Sequence, residues 1–149
     1  MEKTTKLYIA YGSNLNLGQM ARRCPTAKVK GTAMLKGWQL TFKGVATIDK
    51  NADAETPVGV WEIQPSDEAA LDRYEGYPHL YRKEETEIEV RGEKLKAMVY
   101  IMNTGTPSLP SQGYFETISE GYEDVGLDKT YLNEALEDTV EKMKIKKST

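Results

Sequence analysis

Apolar residues recur along the chain with two different spacings, and these spacings mark the predicted elements. Short apolar runs or alternation predict strands over residues 7–10, 27–31, 37–42, 45–48, 58–63, 84–90 and 95–101. A spacing of three to four residues predicts helices over 17–24 and 65–76, and two more that begin after Ser111 and Asp128. Residues 51–56 are predicted as a polar turn and 104–112 as a loop rich in Pro, Gly and Ser.

The predicted helix ends carry capping residues. N-caps are expected at Asn14 or Asn16, Ser66, Ser111 and Asp128. Gly76 and Gly126 are suited to close the second and third helices. Most neighbouring strands have connections too short for a parallel crossover, such as Arg91-Gly92-Glu93. The pattern therefore predicts an α+β fold with a largely antiparallel or mixed sheet.

The stretch over residues 8–15 joins the first strand to the first helix through Gly12. The succession of strand, glycine turn and helix start directs several backbone N–H groups towards one point. Such a point favours the binding of an anion. The alternative is a simple strand-to-helix turn. The spacing matches neither a phosphate-binding loop nor a dinucleotide fingerprint, and Ser13 does not stand in a nucleophile elbow.

Composition and charge narrow the classes of protein. The 149 residues predict one domain over 1–149, and 29% charged residues are ordinary for a globular protein. A net charge of −3 argues against a nucleic-acid partner. We also expect no membrane partner, because the sequence shows neither a signal peptide nor an apolar run of membrane length. The one cysteine, Cys24, fits a cytoplasmic location.

The carboxylates are the remaining candidates for catalytic residues. With one histidine, His79, and one cysteine, a metal site or a Ser-His-Asp or Cys-His arrangement is not expected, and Cys24 is predicted to lie in the core. Glu75 stands at the C-terminal end of the second predicted helix, between Tyr74 and Gly76. The negative end of the helix dipole and aromatic neighbours would raise its pKa, which suits a general base. The alternative is a carboxylate in water.

Three motifs, in order along the chain, resemble the gamma-glutamylcyclotransferase-like family. The first is Tyr11-Gly12-Ser13-Asn14-Leu15 after a hydrophobic strand. The second runs from Leu71 to Pro78 with Glu75 before a glycine, and is followed by Tyr81. The third is Tyr114, with Gly121, Gly126 and Leu127 downstream. Together the matches extend from residue 8 to residue 127.

The resemblance implies a small barrel-like mixed sheet with helices packed around it. It implies that Glu75 is the general acid/base and that Tyr81 and Tyr114 line the pocket. The implied substrate loop consists of Tyr8, Ile9, Ala10, Tyr11, Gly12, Ser13, Asn14 and Leu15. The family's reaction is an intramolecular aminolysis that gives 5-oxoproline and a free amine, with no metal and no cofactor.

The implied partner is a small-molecule γ-glutamyl substrate, and a homodimer is left open. The motifs do not separate γ-glutamyl amino acids from γ-glutamyl amines or carrier-bound γ-glutamyl groups. A second interpretation is a non-catalytic binding module that keeps the same pocket for a small molecule.

Overall fold

A five-stranded mixed sheet forms the centre of the computed structural model, which describes residues 5–147, with side chains up to Ile145. The strands are β1 (Lys6–Ala10), β2 (Lys28–Phe42), β3 (Ala46–Ile63), β4 (Tyr81–Val90) and β5 (Glu93–Met102). The helices are α1 (Leu17–Arg23), α2 (Pro65–Glu75), α3 (Gln112–Val125) and α4 (Lys129–Lys147), and a 3₁₀ turn spans Ser13–Leu15. The predicted α+β class is confirmed.

The short strand β1 occupies the middle of the sheet, whose order is β2-β3-β1-β5-β4. It pairs antiparallel with β3 and parallel with β5, which makes the sheet mixed. Fully buried apolar side chains on these strands, including Ile9, Val60 and Val99, form part of the core. The edge strands β2 and β4 approach each other, since a Cβ at Gly31 would lie 3.0 Å from Cγ1 of Val90. The sheet is therefore barrel-like.

Strands β2 and β3 are longer than their sequence patterns predict. They form one antiparallel ribbon whose turn lies at residues 43–45. The predicted polar turn over residues 51–56 is wrong, because these residues belong to β3, where Glu55 pairs with Lys36 and Thr56 with Leu35. Pairing satisfies the backbone along the ribbon, so exposed polar side chains do not interrupt it.

The helix caps follow the prediction in most places. Asn16, and not Asn14, caps α1, because its Oδ1 accepts from the N–H of Gln19 at 3.1 Å. Ser111 caps α3, where its Oγ accepts from the N–H of Tyr114 at 3.3 Å. Asp128 Oδ1 accepts from the N–H of Thr130 at 2.9 Å at the start of α4.

The predicted cap of α2 is wrong, because Gln64 and not Ser66 precedes the helix. Pro65 takes the first helical position, where its missing N–H costs nothing. Asp67 Oδ2 accepts from the N–H of Gln64 at 3.0 Å and so secures this end. At the other end Gly76 adopts a left-handed conformation with φ of 67° and closes the helix directly after Glu75.

Helix α3 packs directly against the backbone of the 3₁₀ turn. A Cβ at Gly121 would lie only 2.6 Å from the backbone N of Asn16 and 2.7 Å from the carbonyl carbon of Leu15. Only glycine permits this approach between the helix and the turn backbone. The turn that follows β1 is therefore held from one side by α3 and from the other by the sheet.

Candidate active site

A cleft opens where β1 ends, between the 3₁₀ turn, the C-terminal end of α2 and the turn that joins β2 to β3. Most of the lining side chains are polar or aromatic. The lining residues are Tyr8, Ile9, Tyr11, Gly12, Ser13, Asn14, Ala46, Glu75, Tyr81, Tyr100 and Tyr114. The fold thus brings the three sequence motifs to one place, although they lie far apart along the chain.

Two residues of the predicted substrate loop do not line the cleft. Ala10 and Leu15 are both buried in the hydrophobic core. Leu15 packs under β3, since a Cβ at Gly59 would lie 3.0 Å from its Cδ2. These two residues support the loop and do not reach its open side.

Two lining residues were missed by the sequence prediction. Tyr100 lies on β5, on the face opposite the apolar alternation of Ala97, Val99 and Ile101. The available signal was a hydroxyl-bearing side chain on the strand face that also carries the apolar Met98 and Met102. Ala46 lies at the start of β3 and contributes backbone groups, for which the sequence has no signal.

Glu75 is the last residue of α2 and its side chain lines the cleft while partly buried. Within the described part of the chain its carboxylate makes no hydrogen bond and no ion pair within 4.0 Å. Burial raises the pKa of Glu75 to about 7, against a smaller lowering effect of the Arg23 charge. The sequence argument expected a raised pKa from the helix end and aromatic neighbours, whereas burial is its main cause.

Three of the tyrosines in the cleft donate their hydroxyl protons to the protein. Tyr11 Oη donates to the carbonyl oxygen of Tyr100 at 2.7 Å, and Tyr81 Oη donates to that of Ala46 at 2.7 Å. Tyr100 Oη donates to Asp72 Oδ1 at 2.6 Å. These bonds fix the walls of the cleft and leave these hydroxyls without a proton for a ligand.

The other two tyrosines accept hydrogen bonds. Asn14 Nδ2 donates to Tyr8 Oη at 2.9 Å, and the N–H of Ala46 donates to Tyr114 Oη at 3.1 Å. Burial raises the pKa of both phenols, and the charge of Glu75 raises each further. Both hydroxyls therefore stay protonated near neutral pH.

The backbone of the 3₁₀ turn supplies further donors. Its hydrogen bonds run from Leu15 N to Gly12 O at 3.0 Å and from Asn16 N to Ser13 O at 3.1 Å. The N–H groups of Ser13 and Asn14 precede the first of these bonds, so they have no partner inside the turn. The start of α1 adds few free N–H donors, because two of its N–H groups already have acceptors. The Asn16 side chain caps the helix, and Asp124 Oδ2 accepts from Leu17 N at 3.0 Å.

Neither His79 nor Cys24 lines the cleft. His79 is exposed after α2, and Cys24 is buried with its Sγ 3.6 Å from the carbonyl oxygen of Asp67. Burial raises the pKa of Cys24 to about 11, so its thiol stays protonated. Among the described residues, no group of three or more His, Cys, Asp or Glu side chains is arranged to hold a metal ion.

The comparison with protein families covers most of the chain. Residues 8–121 match the family described as gamma-glutamyl cyclotransferase, AIG2-like, and this range contains the whole cleft. The chain belongs to this family. The resemblance inferred from the three motifs is thereby confirmed.

This chain resembles known proteins of the family in both sequence and structure. The chain is 30% identical to the mouse gamma-glutamylcyclotransferase over 144 residues, which are 87% of this chain and 77% of the relative. A crystal structure of a human protein described as uncharacterized superposes on this chain with a TM-score of 0.81 at 26% identity. The match covers 89% of this chain and 87% of the human one. A structure named gamma-glutamyl cyclotransferase superposes with a TM-score of 0.78 at 26% identity. The match covers 88% of this chain and 86% of the other.

Proposed function

We propose that this protein is a cyclotransferase that converts a γ-glutamyl amino acid or γ-glutamyl amine into 5-oxoproline and a free amine. The observation that carries the proposal is the partly buried Glu75, which has no described cationic partner and lies in the cleft that the family motifs build. The name of the mouse relative supports the same reaction.

The reaction needs one group that first accepts a proton and then donates it. The substrate's α-ammonium group must lose a proton before its nitrogen attacks the γ-carbonyl, and the leaving nitrogen must gain one. With a pKa of about 7, Glu75 is present in both protonation states near neutral pH and performs both transfers. The substrate supplies the nucleophile, so neither Ser13 nor Cys24 forms a covalent intermediate.

Ring closure depends mainly on holding the substrate folded back on itself. In this proposal the N–H groups of Ser13 and Asn14 bind the substrate's α-carboxylate, and Tyr81 and Tyr114 form the walls around the γ-glutamyl chain. A crystal grown with 5-oxoproline tests the assignment, because its carboxylate should bind at the turn. Ligand density only at a distance from Gly12, Ser13 and Asn14 would contradict it.

The decisive experiment is incubation of the protein with a panel of γ-glutamyl dipeptides and γ-glutamyl amines, with mass spectrometry for 5-oxoproline. The matched α-glutamyl dipeptides are the control, because closing their ring releases no amine. We expect 5-oxoproline and the free amine in equal amounts from at least one γ-linked substrate. Binding without turnover across the panel would favour the alternative, a non-catalytic module for a small molecule.

We further propose that the protein is located in the cytoplasm. One cysteine, buried as a free thiol, supports a reducing, cytoplasmic location. Among the described residues, no helix is both long and apolar enough to cross a membrane. The partner is a small γ-glutamyl molecule, and a homodimer is an arrangement that sedimentation of the purified protein would test.

A further inference from the structure

We propose that hydrogen bonds from Arg23 to Asn14 and from Asn14 to Tyr8 direct the hydroxyl proton of Tyr8 into the cleft, where it stabilises the oxyanion of the reaction. We call these three residues the Arg23–Asn14–Tyr8 chain. The inference rests on the proposed function, because it assigns a donor to the intermediate of that reaction.

The direction of the chain follows from which atoms can donate. A guanidinium group only donates, so Asn14 Oδ1 accepts from Arg23 Nη1. This contact fixes the orientation of the Asn14 amide and places Nδ2 towards Tyr8. An amide nitrogen also only donates, so Tyr8 Oη must accept the bond of 2.9 Å. The Tyr8 proton is therefore not used in the chain.

Tyr8 differs in this respect from its neighbours in the cleft. The hydroxyls of Tyr11, Tyr81 and Tyr100 each donate to a protein oxygen. Within the described residues the Tyr8 hydroxyl has no acceptor. Tyr114 also keeps its proton, but it accepts from a backbone N–H and not from a chain that begins at a cation. Because hydrogen bonds in series polarise one another, Tyr8 is the stronger donor of the two.

The chain is buried and its charged end is held firmly. Tyr8 is 4% exposed and Asn14 is 3% exposed. The Arg23 guanidinium stacks 3.4 Å from the centroid of the Tyr74 ring and donates to Gln19 Oε1 at 3.1 Å. No described carboxylate lies within 4.0 Å of Arg23, so its charge is not neutralised by an ion pair. The positive charge therefore acts along the chain and on the cleft.

The step that Tyr8 assists is the attack on the γ-carbonyl. The substrate's amino nitrogen forms a bond to the γ-carbon, and the carbonyl electron pair moves onto oxygen. The Tyr8 hydroxyl donates a hydrogen bond to this oxyanion and keeps its proton. The electron pair then re-forms the carbonyl as the bond to the leaving nitrogen breaks, and that nitrogen takes the proton held by Glu75. The Glu75 carboxylate accepts the second proton of the ring nitrogen and passes it to the released amine, which leaves as an ammonium ion.

The first test removes the donor. Tyr8→Phe should lower kcat about 10²–10³-fold, the usual cost of one oxyanion donor. KM should change only a few-fold, because the donor acts mainly in the transition state. Tyr122→Phe is the matched control, since Tyr122 is a buried tyrosine outside the cleft and its kcat should not change. A folded Tyr8→Phe variant with kcat within threefold of the wild type would overturn the proposal.

The second test reverses the bond to Tyr8 with almost no change in shape. In Asn14→Asp the carboxylate still accepts from Arg23 but cannot donate, so Tyr8 must turn its proton towards residue 14. We expect a loss of kcat similar to that in Tyr8→Phe. Combined with Tyr8→Phe, the Asn14→Asp change should cost little more, because both variants remove the same donor. Full additivity, or an active Asn14→Asp variant, would contradict the proposed direction.

The third test addresses Arg23, which acts through other residues and is therefore a positioning residue. Arg23→Gln should lower kcat about tenfold, the effect of weakening one charge-assisted hydrogen bond. It should also move the acidic limb of the pH profile to higher pH, because Arg23 holds the pKa of Glu75 down. Arg23→Lys should restore most of both changes, and Arg22→Gln, at an exposed neighbour, should show neither. An Arg23→Gln variant that matches the wild type in kcat and pH profile would remove Arg23 from the chain.

The two proposals fail in different ways. A wild-type protein that releases no 5-oxoproline from any γ-glutamyl substrate rejects the proposed function. A wild-type protein that does so, with a fully active Tyr8→Phe variant, rejects only the Arg23–Asn14–Tyr8 chain.

Discussion

Helix α2 carries three carboxylates on one face, and within the described part of the chain two of them are paired with lysines while the last, Glu75, is not. Glu68 and Asp72 both pair with Lys83 Nζ, at 2.6 Å and 2.9 Å, and Glu68 pairs again with Lys6 at 3.0 Å. Glu75, at the i+7 position from Glu68, has no such cation among the described residues. The three residues share a face of the helix, so the presence or absence of a neighbouring cation is what distinguishes Glu75 from Glu68 and Asp72.

The pKa values of the two glutamates show the effect. Burial raises the pKa of Glu68, but the bonds from Lys83 and Lys6 outweigh it and bring the pKa below its usual value. Burial raises the pKa of Glu75 to about 7, and the more distant Arg23 only reduces the rise. Burial thus makes a carboxylate reactive only where no ion pair compensates for it.

One of the paired carboxylates also supports the surroundings of Glu75. Asp72, held by Lys83, accepts from the hydroxyl of Tyr100, which lines the cleft beside Glu75. Asp72 therefore fixes a wall of the cleft beside Glu75, the residue that the proposed function assigns as acid and base.

The largest expected difference between Glu75 and Glu68 is in turnover. Glu75→Gln keeps size and shape but removes the proton acceptor, so turnover should fall roughly 10²–10⁴-fold. Glu68→Gln is the matched control on the same helix, and its turnover should stay within a few-fold of the wild type. The measurement is 5-oxoproline release at saturating substrate, with melting temperatures to show that both variants fold. A folded Glu75→Gln variant with wild-type turnover would reduce Glu75 to a helix-end residue.

The second difference is in the dependence of activity on pH. In the proposed reaction the ionised form of Glu75 accepts the substrate's proton, so kcat/KM should fall about tenfold per pH unit below its pKa of about 7. Activity at pH 5 should then be roughly 100-fold below that at pH 8. Glu68→Gln should leave this limb in place, because it changes a group outside the cleft. An acidic limb centred near pH 4.5 would indicate that Glu75 is not desolvated.

The third difference is in stability, where the two substitutions should act with opposite sign. The raised pKa of Glu75 destabilises the fold above pH 7, and this cost disappears as the pH falls towards the unfolded value of 4.5. Glu75→Gln should therefore raise the free energy of unfolding at pH 8, by at most about 3 kcal/mol, and change it little at pH 4.

Glu68→Gln should do the reverse at pH 8. The lowered pKa of Glu68 contributes stability above its unfolded pKa, and this contribution is lost as the pH falls through the folded pKa. The loss should be about 1 kcal/mol, since the ion pairs are partly exposed. Denaturant unfolding at both pH values measures both variants. The same sign for the two variants at pH 8 would contradict the comparison.

The smallest expected effect concerns the remaining nucleophiles. Cys24 is buried and protonated, and Ser13 Oγ lies 2.8 Å from Tyr74 Oη, so neither is activated. Thiol- and serine-directed reagents should leave turnover unchanged. A trapped acyl group on either residue, seen by mass spectrometry, would replace the mechanism with covalent catalysis.

What the sequence predicted well is local. The helix pattern before Gly76 placed Glu75 at a helix end, and the glycine after β1 indicated the turn that contributes to the cleft. What it missed depends on pairing between distant segments. Tyr100 reaches the cleft because β5 lies beside β1, and residues 51–56 extend a strand because β2 lies alongside them. Arg23 belongs to the site through its contacts with Asn14 and Tyr74, and no sequence pattern predicts these contacts.

The central position of β1 also has a consequence for how the protein folds. The β2–β3 and β4–β5 hairpins are contacts between chain neighbours, whereas the bond from Tyr11 to Tyr100 joins residues 89 positions apart. Closing so long a segment has an entropic cost that local hairpins do not have, and such contacts slow folding. The cleft follows directly after β1, so it is complete only once this distant pairing has formed. Recovery of activity after refolding should therefore lag behind recovery of the hairpins.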